Sequence, residues 1–437
     1  MLDPVSAGVI TTAILFTMLF LGVHIGVALG LAGLIGMYLT IGEFAALAQL
    51  ATVPFATTNS FTLAVIPLFI LMGAFATQAA LTTDLYRAAF TWMGRLPGGL
   101  AMATTLASAA FGAASGSTLV NAAVFTRMAL PEMTKYGYDK RLSAGCIAAA
   151  GTLAALIPPS ILMVVYGIIT EQSVAKLLMA GLLPGLLSGG VFMVGIYVIA
   201  KIRPELAPIP DIRFTWGERF RSLSGVWGIA ALFALVIGGI YTGFFVPTYA
   251  GAIGAFGALV LVILRRRMTW KGLIETLKDA GSTTSTIFII VIGGILFARF
   301  LTYTGLVAGI SDTLLALELS PFTYLLAYIA IFFVLGMVIE PIAILVMTLP
   351  IMFPVITGAG FDPIWLGVIS VKLAEISLIT PPVGLNVYIV RSASPIPLTL
   401  VDVFKGVTPF ILMEIVILGL LVAFPAIALF LPDIMMG

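Results

Sequence analysis

The chain is 437 residues long, 61% hydrophobic and 9% charged, with a mean hydropathy of +1.19. So little charge cannot cover a water-facing surface, so lipid is the solvent for most of it. A net charge of +2 gives no sign of a nucleic-acid partner, and the lone Cys146 and lone His24 exclude disulfide, iron–sulfur and Cys/His zinc frameworks.

The start, Met1 to Ser6, has no basic segment and reads as the approach to a first membrane span, not as a cleaved signal. Apolar runs then predict spans near 5–22, 25–41 and 61–80, a re-entrant segment near 98–134, and spans near 141–170 and 175–200. The segment near 98–134 carries Ala114-Ser115-Gly116-Ser117-Thr118 at its middle, too polar for an ordinary span. It reads as a helical hairpin whose tip reaches the bilayer midplane. Spans near 226–243, 247–265 and 284–303, a hairpin near 321–357, and spans near 363–393 and 406–432 follow.

The second set repeats the first. Gly22, Gly30, Gly33 and Gly36 recur as Gly243, Gly251, Gly254 and Gly257, 221 residues on, and Pro131, Gly137 and Asp139 recur as Pro354, Gly360 and Asp362, 223 on. The expected fold class is therefore an all-α polytopic membrane protein of two repeats, residues 1–222 and 223–437. Lys and Arg gather in Lys201–Arg221, in Arg265–Lys278 and around Arg87, Arg95 and Lys135–Arg141, which places those loops in the cytoplasm. Gly42–Ser60, Gly243–Pro247 and Thr304–Ser320 lack both residues and read as outside loops. Five crossings and one hairpin per repeat make the second copy inverted, with its hairpin entering from the opposite side.

Backbone irregularity at membrane depth survives only where protein or a water-lined cavity satisfies it. Four such places are expected: the tips Ser115–Thr118 and Gly336–Ile342, and the breaks at Pro158-Pro159 and Pro381-Pro382. Proline removes a donor and frees carbonyl oxygens, which with nearby hydroxyls suit a hard cation such as Na⁺, while helix N-termini suit an anion. One tip pairs with one break in each half, giving two related cation sites. Gly116 and Ile157 enter as backbone oxygen donors. Glu340, 223 residues after Ser117, either completes a cation site or anchors its tip. Lys372 and Glu375 share a helix face, so they neutralise each other or, for Lys372, meet substrate. Arg299 and Arg127 lie near span ends, where arginine snorkels.

Enzymatic readings fail. No Lys follows a Gly, so no phosphate loop exists, and there is no His-Glu-x-x-His helix. A Ser–His pair would have to use His24, expected near the inner membrane edge and far from the Ser115 tip.

Ala114-Ser115-Gly116-Ser117, Gly151-Thr152-Leu153 to Ile157-Pro158-Pro159-Ser160, and Thr380-Pro381-Pro382-Val383-Gly384-Leu385-Asn386 resemble the large membrane subunit of the tripartite ATP-independent periplasmic (TRAP) transporters over essentially the whole chain. That resemblance implies a sodium-driven importer of organic acids in a bacterial or archaeal cytoplasmic membrane. It implies as partners a small four-helix membrane subunit, here expected as a separate chain, and a soluble periplasmic binding protein. It implies an elevator motion of the hairpin-bearing domain. By resemblance Ser115, Ser117, Thr152 and Ser160 serve the first sodium and substrate region, and Glu340, Thr380 and Asn386 the second. A stand-alone divalent-anion/sodium symporter is the alternative, and an uncoupled channel or membrane scaffold a further one.

Overall fold

The computed structural model describes residues 2–436 and, among them, contains helices and no strands. In chain order the helices are α1 (Pro4–Phe20), α2 (Ile25–Ile41), α3 (Glu43–Thr58), α4 (Val65–Gln78), α5 (Leu81–Met93), α6 (Gly99–Ser115), α7 (Thr118–Lys135), α8 (Lys140–Thr152), α9 (Ile161–Ile169) and α10 (Val174–Ile202). They continue as α11 (Trp216–Leu223), α12 (Trp227–Tyr241), α13 (Pro247–Leu264), α14 (Trp270–Tyr303), α15 (Leu306–Leu315), α16 (Pro321–Gly336) and α17 (Pro341–Gly358). The last four are α18 (Pro363–Ser377), α19 (Leu385–Ala393), α20 (Leu400–Ala423) and α21 (Ala426–Met436).

Five of these, α10, α13, α14, α17 and α20, are long and apolar enough alone to cross a membrane. Two bent pairs, α4 with α5 at 65° and α11 with α12 at 44°, reach that length together. The arms α6 and α7 form a hairpin, as do α16 and α17. At 17 residues α6 extends only about 25 Å, short of the roughly 30 Å of hydrocarbon.

Several expected boundaries are corrected. The loop expected over Gly42–Ser60 is mostly α3, a 16-residue helix lacking Lys and Arg; missing basic residues marked a side of the membrane, not an absence of helix. Likewise Thr304–Ser320 contains α15. The span expected near 61–80 begins at Val65, and the chain turns sharply at Ala80 (φ 54°) into α5. The span expected from residue 284 begins at Trp270, because the hydroxyl-rich stretch before it is helical too. The span expected over 406–432 is two helices, α20 and α21, parted at Phe424-Pro425, where proline has no N–H to continue the ladder.

Helix α2 lies along α14, and α13 lies along α4, the same arrangement with the halves exchanged. The α2–α14 contact is backbone on backbone: a Cβ on Gly293 would overlap the carbonyl oxygen of Gly26. A second such crossing joins α8 to α20, where a Cβ on Gly406 would overlap the carbonyl oxygen of Arg141 and one on Gly145 that of Gly406. Small residues are what permit helices to approach this closely in lipid.

Gly406→Leu should therefore destabilise the fold by on the order of 1–3 kcal/mol, the usual cost of overpacking. Gly419→Leu, on the same helix with open space around its Cβ position, should be neutral. Thermal unfolding of both variants in one detergent checks the contrast.

Candidate functional site

The first hairpin tip is built by two opposed caps. Gly116 takes a left-handed φ of 58° and closes α6, its N–H donating to Gly112 O at 2.9 Å. Ser117 is extended and starts α7, its Oγ accepting from Val120 N at 3.5 Å. In the second hairpin Glu340 holds the corresponding place before α17, with Pro341 at the first helical position and no side-chain cap bond. Asn121 Nδ2 donates to Ser108 O at 2.9 Å, and Ser108 Oγ lies 3.0 Å from Asn121 Oδ1 and 2.9 Å from Ala150 O. That network fastens both arms of the first hairpin to α8.

The helix breaks stand beside the tips. The first runs from Thr152 through a short 3₁₀ turn and a cis Pro158–Pro159 bond to Ser160; the second contains a cis Pro381–Pro382 bond. Space at Gly116 is bounded by the Pro159 carbonyl oxygen, 2.8 Å from a Cβ added there. In the second half, Val383 N donates to Met337 O at 3.3 Å. Contacts also cross between halves: α19 packs on α7 and α8, and α9 on α17 and α18. Asn386 exemplifies this, its Nδ2 donating to Ala148 O at 3.0 Å.

The tips and breaks enclose a cleft of 260 Å³. Its wall is made by Gly116–Leu119 from the first tip, Glu340–Ile342 from the second, Ala155 and Ile161 from the first break, Leu378 from the second, and Ser282, Thr283 and Thr286 from α14. A second cleft of 350 Å³ lies on the other side of the first tip, between Ser115, Ser117 and the facing residues of α4 and α14.

Three of the expected site residues present buried oxygens with no hydrogen-bond partner among the described residues: Ser115 Oγ, Asn386 Oδ1 and Glu340 Oε1. Such atoms are expensive in a low-dielectric interior unless something else satisfies them. The hydroxyls of Thr152, Ser160 and Thr380 are buried and instead return to their own backbone: Thr152 Oγ1 donates to Ala149 O at 2.7 Å, Thr380 Oγ1 to Ile376 O at 2.6 Å, and Ser160 Oγ to Ala155 O. Each retains lone pairs. Ile157 is buried against Gly185 of α10.

Lys372, expected at the substrate, lines neither cleft. It is fully buried, with Nζ 2.9 Å from Glu375 Oε2, 2.5 Å from Glu414 Oε2 and 3.1 Å from Ser188 Oγ. The expected pairing with Glu375 is thus one arm of a cluster across α10, α18 and α20. Glu414 escaped the sequence reading, although a single carboxylate inside the apolar run of α20 was the signal. Also missed were Ser282, Thr283 and Thr286; their signal was the uninterrupted hydroxyl stretch Ser282–Thr286 ahead of an apolar run. Arg299 is half-buried, and its Nη1 donates to Gln49 Oε1 of α3.

The sequence profile of the tripartite ATP-independent periplasmic transporter DctM component matches residues 12–427. The C4-dicarboxylate TRAP transporter large permease protein DctM of Pseudomonas aeruginosa is 37% identical, over 93% of this chain and 94% of that one. The sialic acid TRAP transporter large permease protein SiaM of Vibrio cholerae is 30% identical, over 96% and 97% respectively. Among solved structures, the YdaH transporter of Alcanivorax borkumensis superposes with a TM-score of 0.59 at 16% identity, covering 88% of this chain and 90% of that one, a likeness of fold.

Removing the one cation of the charged cluster should be costly. Lys372→Met leaves two buried carboxylates facing each other and should destabilise by about 3–5 kcal/mol. Adding Glu375→Gln and Glu414→Gln should recover most of that loss. Thermal unfolding of the single and triple variants measures both.

Proposed function

The chain belongs to the DctM component family of the tripartite ATP-independent periplasmic transporters, and we propose that it imports an organic acid, driven by sodium. As a large permease of this family it is a multi-pass protein of the inner membrane. In the proposed cycle a periplasmic binding protein delivers the substrate, a small membrane subunit accompanies the chain, and the hairpin-bearing part moves as an elevator against the remaining helices.

One observation carries this reading: residues of both hairpin tips and of both helix breaks line one cleft, with Glu340 in its wall and Ser115 in that of the neighbouring cleft, each with a buried oxygen that lacks a partner among the described residues. Hard oxygen donors of this kind, Ser115 Oγ, Asn386 Oδ1 and the backbone carbonyls freed at the breaks, fit Na⁺. The N-terminus of α7 opens on the same cleft through Thr118 and Leu119. Its exposed amides and dipole favour a substrate carboxylate.

The coupling follows from charge. Glu340 lines the cleft, so in its ionised form it repels an organic anion entering there, in a medium that screens poorly. A cation bound first at the tips offsets that repulsion and fixes the backbone that the substrate then touches. Sodium binding before substrate is the consequence, and neither site is complete without the other's charge.

Proteoliposomes holding the chain with its small subunit test the proposal. Uptake of a labelled organic acid should require both an inward sodium gradient and the cognate binding protein. Ser115→Ala and Asn386→Ala should each raise the sodium concentration for half-maximal uptake by about tenfold, the cost of one charge-assisted ligand. Unchanged sodium curves in both folded variants would overturn the ion assignment, and uptake without a binding protein would overturn the tripartite one.

A further inference from the structure

At the end of the bundle where α10 finishes and α20 begins, a groove of 620 Å³ runs between those helices and the start of α8. Arg141, Arg203 and Lys405 stand around it, together with Asp139, Ile202 and Leu412.

The nearby acids are already engaged. Asp139 Oδ1 caps α8, accepting from Arg141 N at 2.9 Å and Leu142 N at 3.0 Å. Asp402 pairs with Lys140 at 3.3 Å and with Arg141 Nε at 3.0 Å, and accepts from Thr399 Oγ1 at 2.8 Å. Arg203 and Lys405 are exposed and form no ion pair among the described residues. The groove therefore carries excess positive charge from two cations, Arg203 at the C-terminal cap of α10 and Lys405 within the first turns of α20.

Its other border is aliphatic. Ile202 is 72% exposed and Leu412 61% exposed. Both α10 and α20 are membrane-spanning candidates, so their adjoining ends lie at headgroup depth, with Leu412 farther into the apolar span. Lys405 near the interface, with exposed Leu412 two turns farther along α20 and Ile202 beside Arg203 at the boundary, reproduces the order of charge and hydrocarbon in one lipid molecule.

We propose that this groove binds an anionic phospholipid, its phosphate held between Arg203 and Lys405 and its acyl chains lying along Ile202 and Leu412. A soluble anion would use the cations but none of the aliphatic border. A zwitterionic lipid brings its own ammonium to compete with Arg203 and Lys405. The site is separate from the transport cleft and stands whether or not the proposed sodium coupling does.

Native mass spectrometry of the full chain from mixed micelles provides the test, with phosphatidylglycerol and phosphatidylcholine as probes. The wild type should retain phosphatidylglycerol preferentially. Arg203→Gln with Lys405→Gln should cut that retention by about thirtyfold, roughly fivefold for each surface cation lost. The charge-preserving pair Arg203→Lys with Lys405→Arg should keep it, as should Lys271→Gln with Lys278→Gln, cations remote from the groove. Thermal unfolding of each variant shows that it is folded. Equal retention of the two lipids, retention unaffected by the Gln pair in a folded protein, or displacement of the lipid by inorganic phosphate would each overturn the proposal.

Discussion

Inside hydrocarbon a backbone N–H or C=O that leaves its helix has no water to bond instead, and this constraint shapes the whole molecule. The chain interrupts its helices at two hairpin tips and two proline breaks. None could stand alone facing lipid. Gathered together, they are largely covered by one another: Val383 N finds Met337 O, Asn386 Nδ2 finds Ala148 O, and Ser108 with Asn121 fastens the first hairpin to α8. The cleft is what remains when irregular segments shield one another incompletely, and the unpartnered Glu340 Oε1 in its wall belongs to that packing.

Two kinds of buried polarity result, and they behave oppositely. Lys372, Glu375, Glu414 and Ser188 form a sealed cluster in which the one cation meets both carboxylates. It joins three long helices and has no opening to either cleft. Glu340, by contrast, forms no ion pair among the described residues and lines the cleft. A charge that is closed off by its neighbours holds helices together; one left without a counterion at a cavity invites a mobile one.

Close helix crossings supply the frame. Backbone contact at Gly26–Gly293 and at Gly145–Gly406 locks α2 to α14 and α8 to α20. Helix α14 belongs both to that frame and to the cleft: Gly293 packs on α2, while Ser282, Thr283 and Thr286, about two to three turns earlier, line the cavity.

The amino-acid sequence alone determined the solvent, the helical class, the positions of both tips and both breaks, and the family, because these depend on local chemistry: apolar length, the missing proline N–H, the special backbone freedom of Gly116, and the motif around Asn386. It could not show that Asn386 reaches across to α8 of the other half, that Glu414 meets Lys372, or that the hydroxyl run before α14 lines the cleft. Nor could it separate Ser115 Oγ, left without a partner, from Thr152 and Thr380, whose hydroxyls turn back to their own helices. Those distinctions concern groups tens to hundreds of residues apart, and only the packing of one helix against another decides which polar atoms find each other and which are left for a ligand.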